Sequence, residues 1–415
     1  MSRTPQRDPN VVYYNTSHPE RSILPRLDPA QFLSSFDRIY RVRSFLYSGK
    51  NWPNLSSSHN LCLALHSSME SLQQLLQVTR TFSGPISLSL FTPGPYYGLI
   101  NLFLQHAAKC HPKVMRNLAI HVMFPIQFPL TIEDIPSNTE VNCSTPYDLT
   151  RHRLAAFKKL VYPESRMRNL AQRGCPTPFT FIFDIDMRIP EQFDKDVEYF
   201  LATKGNRCPK CIFIIPVYEV DGLTAYANLP RNKTELLDQV KSKKARIYHI
   251  KTYPWGQKMS HLEQWEKLPK DVGPHVAYEL EKYQFTYEPI FIGPTSMPSF
   301  DERFTGFGLC RNTQFYELFV AGFQFHLLND GFLIHMGFKV PGERKPWKSK
   351  ELLRNQRLVP QFAQEIKVKY GRDPCQMSLK LRTYRPSKWK DIDCPINEKP
   401  LENNVQSMIN FMNVT

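Results

Sequence analysis

Two aspartates one residue apart, Asp184 and Asp186, close the run FTFIFDIDM at 179–187. The five residues ahead of them are all aromatic or β-branched, the composition of a strand buried on both faces. Residues two apart on a strand point to one side, so both carboxylates are expected to face one object. At the end of a buried parallel strand the chain opens into the crevice where α/β proteins bind ligands. Two hard oxygen donors suit Mg²⁺ or Mn²⁺. A bound cation also removes the repulsion that would otherwise keep one carboxylate protonated. The competing reading is a turn cap beside a solvated acid. The apolar strand directly ahead favours the metal.

A framework must hold that pair, and the chain has the means: 415 residues, of which 41% are apolar and only 22% charged. LCLAL at 61–65 reads as a strand. Ser67 and Glu70 fit a capping box ahead of Met69, Leu72, Leu75 and Leu76 at helical spacing. ISLSLF at 86–91 then completes a βαβ unit, which predicts a parallel, buried sheet. A helix is expected over 97–110, a strand over 118–124, a helix over 167–173 and a strand over 211–220. Residues 1–55 read as an irregular stem and 245–300 as an elaborate loop region. Helix then strand follow at 315–325, a strand carrying His335 at 331–338, a basic-faced helix at 352–370, and a tail over 373–415.

Lys and Arg number 53 against 38 Asp and Glu, a net charge of +15, which favours anionic partners. The basic runs KSKKAR and RKPWKSK read as solvated faces. No zinc-finger or aromatic RNA-binding signature accompanies the charge, so nucleic acid is not an expected partner. Cys208 and Cys211 form a CxxC with no second metal-spaced pair, so a structural zinc is not expected. The nine cysteines fit disulfides or core thiols, with an odd one left over. Sequons at Asn15, Asn54, Asn142, Asn232 and Asn413 mildly favour a secretory route. The polar N-terminus has no signal or anchor, and no later segment spans a membrane. The chain is therefore soluble as written, or its true start lies upstream.

Two enzyme classes place an aspartate pair after such a strand. Haloacid-dehalogenase phosphatases open their domain with it, whereas here α/β structure precedes it and Met187 and Arg188 follow. Nucleotide-sugar transferases of the GT-A type place D-x-D after the nucleotide-binding half, which fits. The segments RNLAQRG (168–174), FIFDIDM (181–187), FDERFTGFG (300–308), YELFVAGFQF (316–325) and LNDGFLIHMGFK (328–339) resemble, in order, the LARGE-type glycosyltransferases. Within that family they are most similar to the β-1,4-glucuronyltransferase branch, also described as i-type β-1,3-N-acetylglucosaminyltransferases.

The resemblance implies an α/β fold of the GT-A type, with a mostly parallel central sheet flanked by helices. It implies a domain over 56–372, with a nucleotide-sugar half at about 60–220 and an acceptor half at about 221–372. Transfer of a sugar, glucuronic acid or N-acetylglucosamine, from a UDP donor to a glycan or glycoprotein acceptor follows, with Mn²⁺ (Mg²⁺ as the substitute) held by Asp184, Asp186 and His335. Donor contacts are implied for Arg168, Asn169 and Asp184. A type II anchor in the Golgi, alongside other Golgi glycosyltransferases, is implied too, although no anchor is visible in these residues. Read without the family, His335 is a lone histidine in an apolar strand, either a bonded core residue or a ligand.

A β-linkage made from an α-linked UDP-sugar requires inversion, and hence a carboxylate base on the acceptor side. Asp301 and Glu302 in FDERF are the candidates, with Asp301 favoured and Glu317 as the reserve; the competing reading of Asp301 is an ion pair with Arg303. A glucuronate carboxylate should meet a cation: Arg303, Arg311 or Lys339. A carbohydrate-binding or chaperone-like relative without turnover is the non-enzyme alternative. The 245–265 loop lacks the cysteines expected from the family.

Overall fold

The computed structural model describes residues 33–34, 38–129, 141–144, 160–342 and 345–396. Phe179–Asp184 is a strand at the centre of a ten-stranded sheet. Leu61–Ser68 runs parallel beside it, followed by Ile86–Phe91 and Leu118–Pro125, also parallel. On its other side lie Ile290–Pro294, antiparallel, then Cys211–Ile215 and Gln324–Asn329, parallel to each other. Tyr40–Ser48 and His275–Glu279 run antiparallel near the two edges. This is the mixed, mostly parallel sheet flanked by helices that the sequence predicts.

Alternation along the strands explains why they read as unbroken apolar runs. Leu61, Leu63 and Leu65 join one core, with Phe179, Phe181 and Phe183, while Cys62, Ala64 and Ile182 join the other. Both faces are covered by helices and loops, so most side chains are apolar and the polar ones, Ser87, Ser89, His121 and Thr180, are buried and hydrogen-bonded. The helix expected over 97–110 is Tyr97–Cys110, and the helix read at 167–173 extends to Glu164–Gly174.

Pro216 divides the expected 211–220 strand. Proline offers no N–H to a ladder, so Cys211–Ile215 stays in the large sheet and Val217–Val220 passes into a second, four-stranded one. That second sheet also contains Ala245–Ile247, Leu333–Met336 and Met187–Arg188. Its antiparallel register sets His335 opposite Met187, one residue past the D-x-D.

Several expectations fail where long-range pairing outweighs local pattern. Tyr40–Ser48, inside the stretch read as irregular stem, pairs with Leu118–Pro125 across a bulge that masks its alternation. Ile290–Pro294, inside the stretch read as loop, sits mid-sheet, so residues from both proposed halves share one sheet. The tail is structured as far as residue 396. Met377–Thr383 is helical, Asp393–Pro395 pairs with Lys282–Gln284, and Cys375 is joined to Cys394. The capping box does not form: the strand runs to Ser68, and the Ser67 hydroxyl donates to the Ser68 carbonyl. Asn54, Asn142 and Asn232 are exposed, while Asn15 and Asn413 lie outside the described residues.

Four disulfides, Cys62–Cys175, Cys110–Cys143, Cys208–Cys211 and Cys375–Cys394, leave buried Cys310 as the odd thiol. The first joins residues 113 apart in sequence. Chain-entropy reasoning gives such a closure about 5 kcal/mol. Replacing Cys62 and Cys175 together by alanine is expected to lower the unfolding free energy by roughly that amount in urea titrations. A loss under about 1 kcal/mol would mean that the unfolded chain is held by something else.

Candidate active site

The D-x-D pair straddles the step between the two sheets. Phe179–Asp184 ends at Asp184, Ile185 and Asp186 form a turn, and Met187–Arg188 begins in the small sheet. Strand alternation therefore does not carry across, and the two carboxylates have different surroundings.

Asp184 is bound by three groups, all on Oδ1. His66 Nε2 lies at 3.2 Å, an Arg168 nitrogen at 3.0 Å and an Arg311 nitrogen at 2.8 Å. His66 is Asp184's register partner on the neighbouring strand, and its Nδ1 is 3.0 Å from the Tyr162 hydroxyl. Arg168 is 1% exposed, pairs also with Glu164, and keeps Nε and one terminal nitrogen without a partner. Burial alone would raise the Asp184 carboxyl; Arg311 and then Arg168 override it and hold the group well below the usual carboxylate range. Donor atoms of His66, Glu164 and Asp184 lie within 4.8 Å of one another. Two guanidinium groups already occupy Asp184 Oδ1 in that cluster, so its other oxygen is the one left for a cation. Asp184 Oδ2 has no partner among the described residues.

Asp186 faces His335 instead, with Oδ2 3.2 Å from Nε2. His335 Nδ1 lies 3.0 Å from the Gly337 carbonyl and donates to it, which fixes the ring with Nε2 toward Asp186. Nε2 and Oδ2 at that distance are joined by a ring proton or by a bound cation, and Asp186 Oδ1 is buried without a hydrogen-bond partner. The donor set fits a divalent ion that accepts oxygen and imidazole nitrogen. Burial would raise the Asp186 carboxyl, and its pairing with His335 instead brings it below its ordinary value.

The loop after His335 is pinned from the small sheet. Fully buried Glu219 accepts from the Lys339 backbone N–H and from Arg246, which donates in turn to the Lys339 carbonyl at 2.7 Å. Gly337 turns with φ +91°, and Gly222 leaves its Cα room: an added Cβ there would come within 3.3 Å of it. Tyr248 packs against the His335 ring with centroids 5.0 Å apart, and His249 stacks on Tyr248. Burial, then Lys339, lowers the His249 imidazole to about 4, so it is neutral.

FDERF is a fastening rather than a free acidic loop. Asp301 receives the Arg303 backbone N–H and a forked guanidinium contact, and Arg303 also reaches Glu365. Glu302 accepts from Asn169 at 3.1 Å and lies 3.8 Å from both Arg166 and Arg173. Asn169 uses the rest of its amide on the Phe300 backbone, donating to the carbonyl and accepting from the N–H. That leaves Asn169 no free donor for a nucleotide sugar. Glu317, 4% exposed, is held by Lys369 and Tyr370. Of the cations weighed for a donor carboxylate, Arg303 and Arg311 are engaged, whereas the Lys339 ammonium has no partner among the described residues.

A model of the family "Glycosyl-transferase for dystroglycan" matches residues 60–371, which include every residue of this site. The chain belongs to this glycosyltransferase family. Beta-1,4-glucuronyltransferase 1 of Homo sapiens is 28% identical to the glycosyltransferase over 346 residues, 81% of this chain and 80% of that one. Xylosyl- and glucuronyltransferase LARGE2 of Rattus norvegicus is 23% identical over 319 residues, 75% of this chain and 40% of that one. Among solved structures, GalNAc-T7 with UDP, GalNAc and Mn²⁺ aligns over 81% of the glycosyltransferase and 54% of its own chain, at a TM-score of 0.38 and 8% identity. That likeness is too loose to place side chains.

The fold thus brings Asp186 and His335 together and sets Asp184 with Arg168 and Arg311. It ties Asn169, Asp301 and Glu302 into the scaffold. His66, Tyr162, Glu219, Tyr248, His249 and Glu288 were not read from the sequence. A signal exists for His66 alone: it directly follows the apolar run LCLAL, and the structure sets it opposite the first aspartate.

Proposed function

We propose that the glycosyltransferase is a metal-dependent inverting enzyme that moves glucuronic acid from a UDP donor to a glycan hydroxyl such as that of a xylose, in protein O-mannosyl glycan synthesis. The observation that carries this reading is the Asp186–His335 pair, with His335 Nδ1 donating to a backbone carbonyl and Nε2 facing a carboxylate. Asp186, His335 and the open oxygen of Asp184 would hold Mn²⁺. When bound, the ion neutralises charge on the diphosphate as the sugar leaves. Arg168 contributes positive potential and two unpartnered N–H groups on the donor side, and Lys339 offers a cation for the glucuronate carboxylate. The donor binds chiefly to residues of 60–220 and the acceptor to residues of 221–372.

The likeness to a glucuronyltransferase supports glucuronate over N-acetylglucosamine; a β-1,3-N-acetylglucosaminyltransferase acting on poly-N-acetyllactosamine is the second reading. Four disulfides and exposed sequons support an oxidising secretory compartment, here the Golgi lumen beside other glycosyltransferases. No helix of the described residues is long and apolar enough to cross a membrane. With Mn²⁺ and a β-xyloside, UDP release is expected from UDP-glucuronate and not from UDP-N-acetylglucosamine, and chelation should abolish it. Release from UDP-N-acetylglucosamine alone would reassign the donor. Release undiminished by chelation would remove the metal from the reaction.

A further inference from the structure

An inverting transfer needs a base, and the acids so far described are committed elsewhere. Asp301 and Glu302 are held by arginines, Glu317 by Lys369, Glu164 by Arg168 and Glu219 by Arg246. We propose that Glu288 is the catalytic base that accepts the proton of the acceptor hydroxyl; this rests on the inverting reading above.

Sheet register places it. Ile290–Pro294 runs antiparallel to Phe179–Asp184, with Ile292 opposite Phe181 and Pro294 opposite Phe179. Glu288 precedes Ile290–Pro294 by two residues, at the end of the sheet where Phe179–Asp184 runs into the D-x-D. Its backbone is fastened to the turn Pro254–Gly256: the Glu288 N–H donates to the Gly256 carbonyl at 3.0 Å, and its carbonyl accepts from the Gln257 amide at 3.4 Å. Glu288 therefore stands at the seam between the D-x-D end of the sheet and the aromatic loop around Trp255. It is partly exposed, and its carboxylate has no hydrogen bond or ion pair among the described residues.

Its electrostatic neighbours include Arg311, Glu164, Arg168, Asp184 and Tyr248. Burial pushes the Glu288 carboxyl up to about 7; Arg311 and Arg168 oppose that, and Glu164 and Asp184 add to it. A base works best with an affinity for protons near the working pH. The step balances without any co-reactant. The acceptor oxygen bonds to the anomeric carbon, the carbon–oxygen bond to the diphosphate breaks, and UDP leaves with the electron pair. The hydroxyl proton passes to Glu288 and from there to solvent.

The test is Glu288→Gln and Glu288→Asp in the full chain, assayed with Mn²⁺, UDP-glucuronate and a β-xyloside. Glu288→Gln should lose transfer roughly 10²-fold or more, while Mn²⁺-dependent UDP affinity by calorimetry stays near wild type. Glu288→Asp should keep part of the rate. Wild-type kcat should fall as pH drops through about 7, and the residual rate of Glu288→Gln should lack that limb. A carboxyl whose pKa is raised by folding stabilises the fold below its unfolded value and loses that contribution as pH rises through about 7. Glu288→Gln should therefore melt no lower than wild type at pH 8, which separates lost chemistry from lost fold. Transfer by Glu288→Gln near the wild-type rate, or an unchanged acid limb, overturns the assignment. A wild type that yields an α-linked product overturns the inverting reading itself, whatever Glu288→Gln does.

Discussion

Replacing Asp186 by asparagine is expected to abolish Mn²⁺-dependent transfer while leaving the melting curve unchanged. The Asp186 side chain is half exposed and forms its one ion pair with His335, so the near-isosteric amide disturbs little packing. It removes one of the two donors that converge on the candidate metal position. A metal in this role is worth several kcal/mol of charge stabilisation, and loss of a ligand carboxylate should lower turnover roughly 10²–10³-fold. Titration of Mn²⁺ in the presence of UDP should show affinity weakened in parallel. Full turnover at ordinary Mn²⁺ concentration would take the ion away from Asp186 and His335.

The same substitution at Asp184 should behave differently, because that carboxylate supports structure as well. It neutralises two guanidinium groups, one of them on the almost fully buried Arg168. Removing one partner of a buried pair costs about 3–5 kcal/mol. Here Glu164 still serves Arg168, and the Asp184 side chain is about a third exposed, so about 2 kcal/mol is expected after allowing for solvent screening. Asp184→Asn should therefore lose activity and also unfold at lower urea without any metal present, whereas Asp186→Asn should not. Equal, unperturbed urea midpoints for the two variants would mean that the arginines are satisfied without Asp184. The arginine pair is the reason to separate the two variants.

Local pattern determined much of this protein. Largely apolar runs at 61–65, 86–91, 118–124 and 179–183 announced strands buried on both faces. D-x-D after FTFIF located the chemical end of the sheet, and the order of the longer segments indicated the glycosyltransferase family. What periodicity cannot express is a partner far away in the chain. Ile290–Pro294 looked like part of a loop, yet it inserts between Phe179–Asp184 and Cys211–Ile215 and so brings the segment before it to the D-x-D end of the sheet. Pro216 was visible in the sequence, but only the second sheet reveals that the chain changes layer there and thereby brings His335 to Asp186. Residues two apart share a face only while the strand continues. A turn at Ile185 ends it, so Asp184 meets arginines and Asp186 meets a histidine. Residue types and spacing identified which groups could do chemistry; the roles were divided by long-range pairing and by charges from other segments, which act across space and leave no local signature.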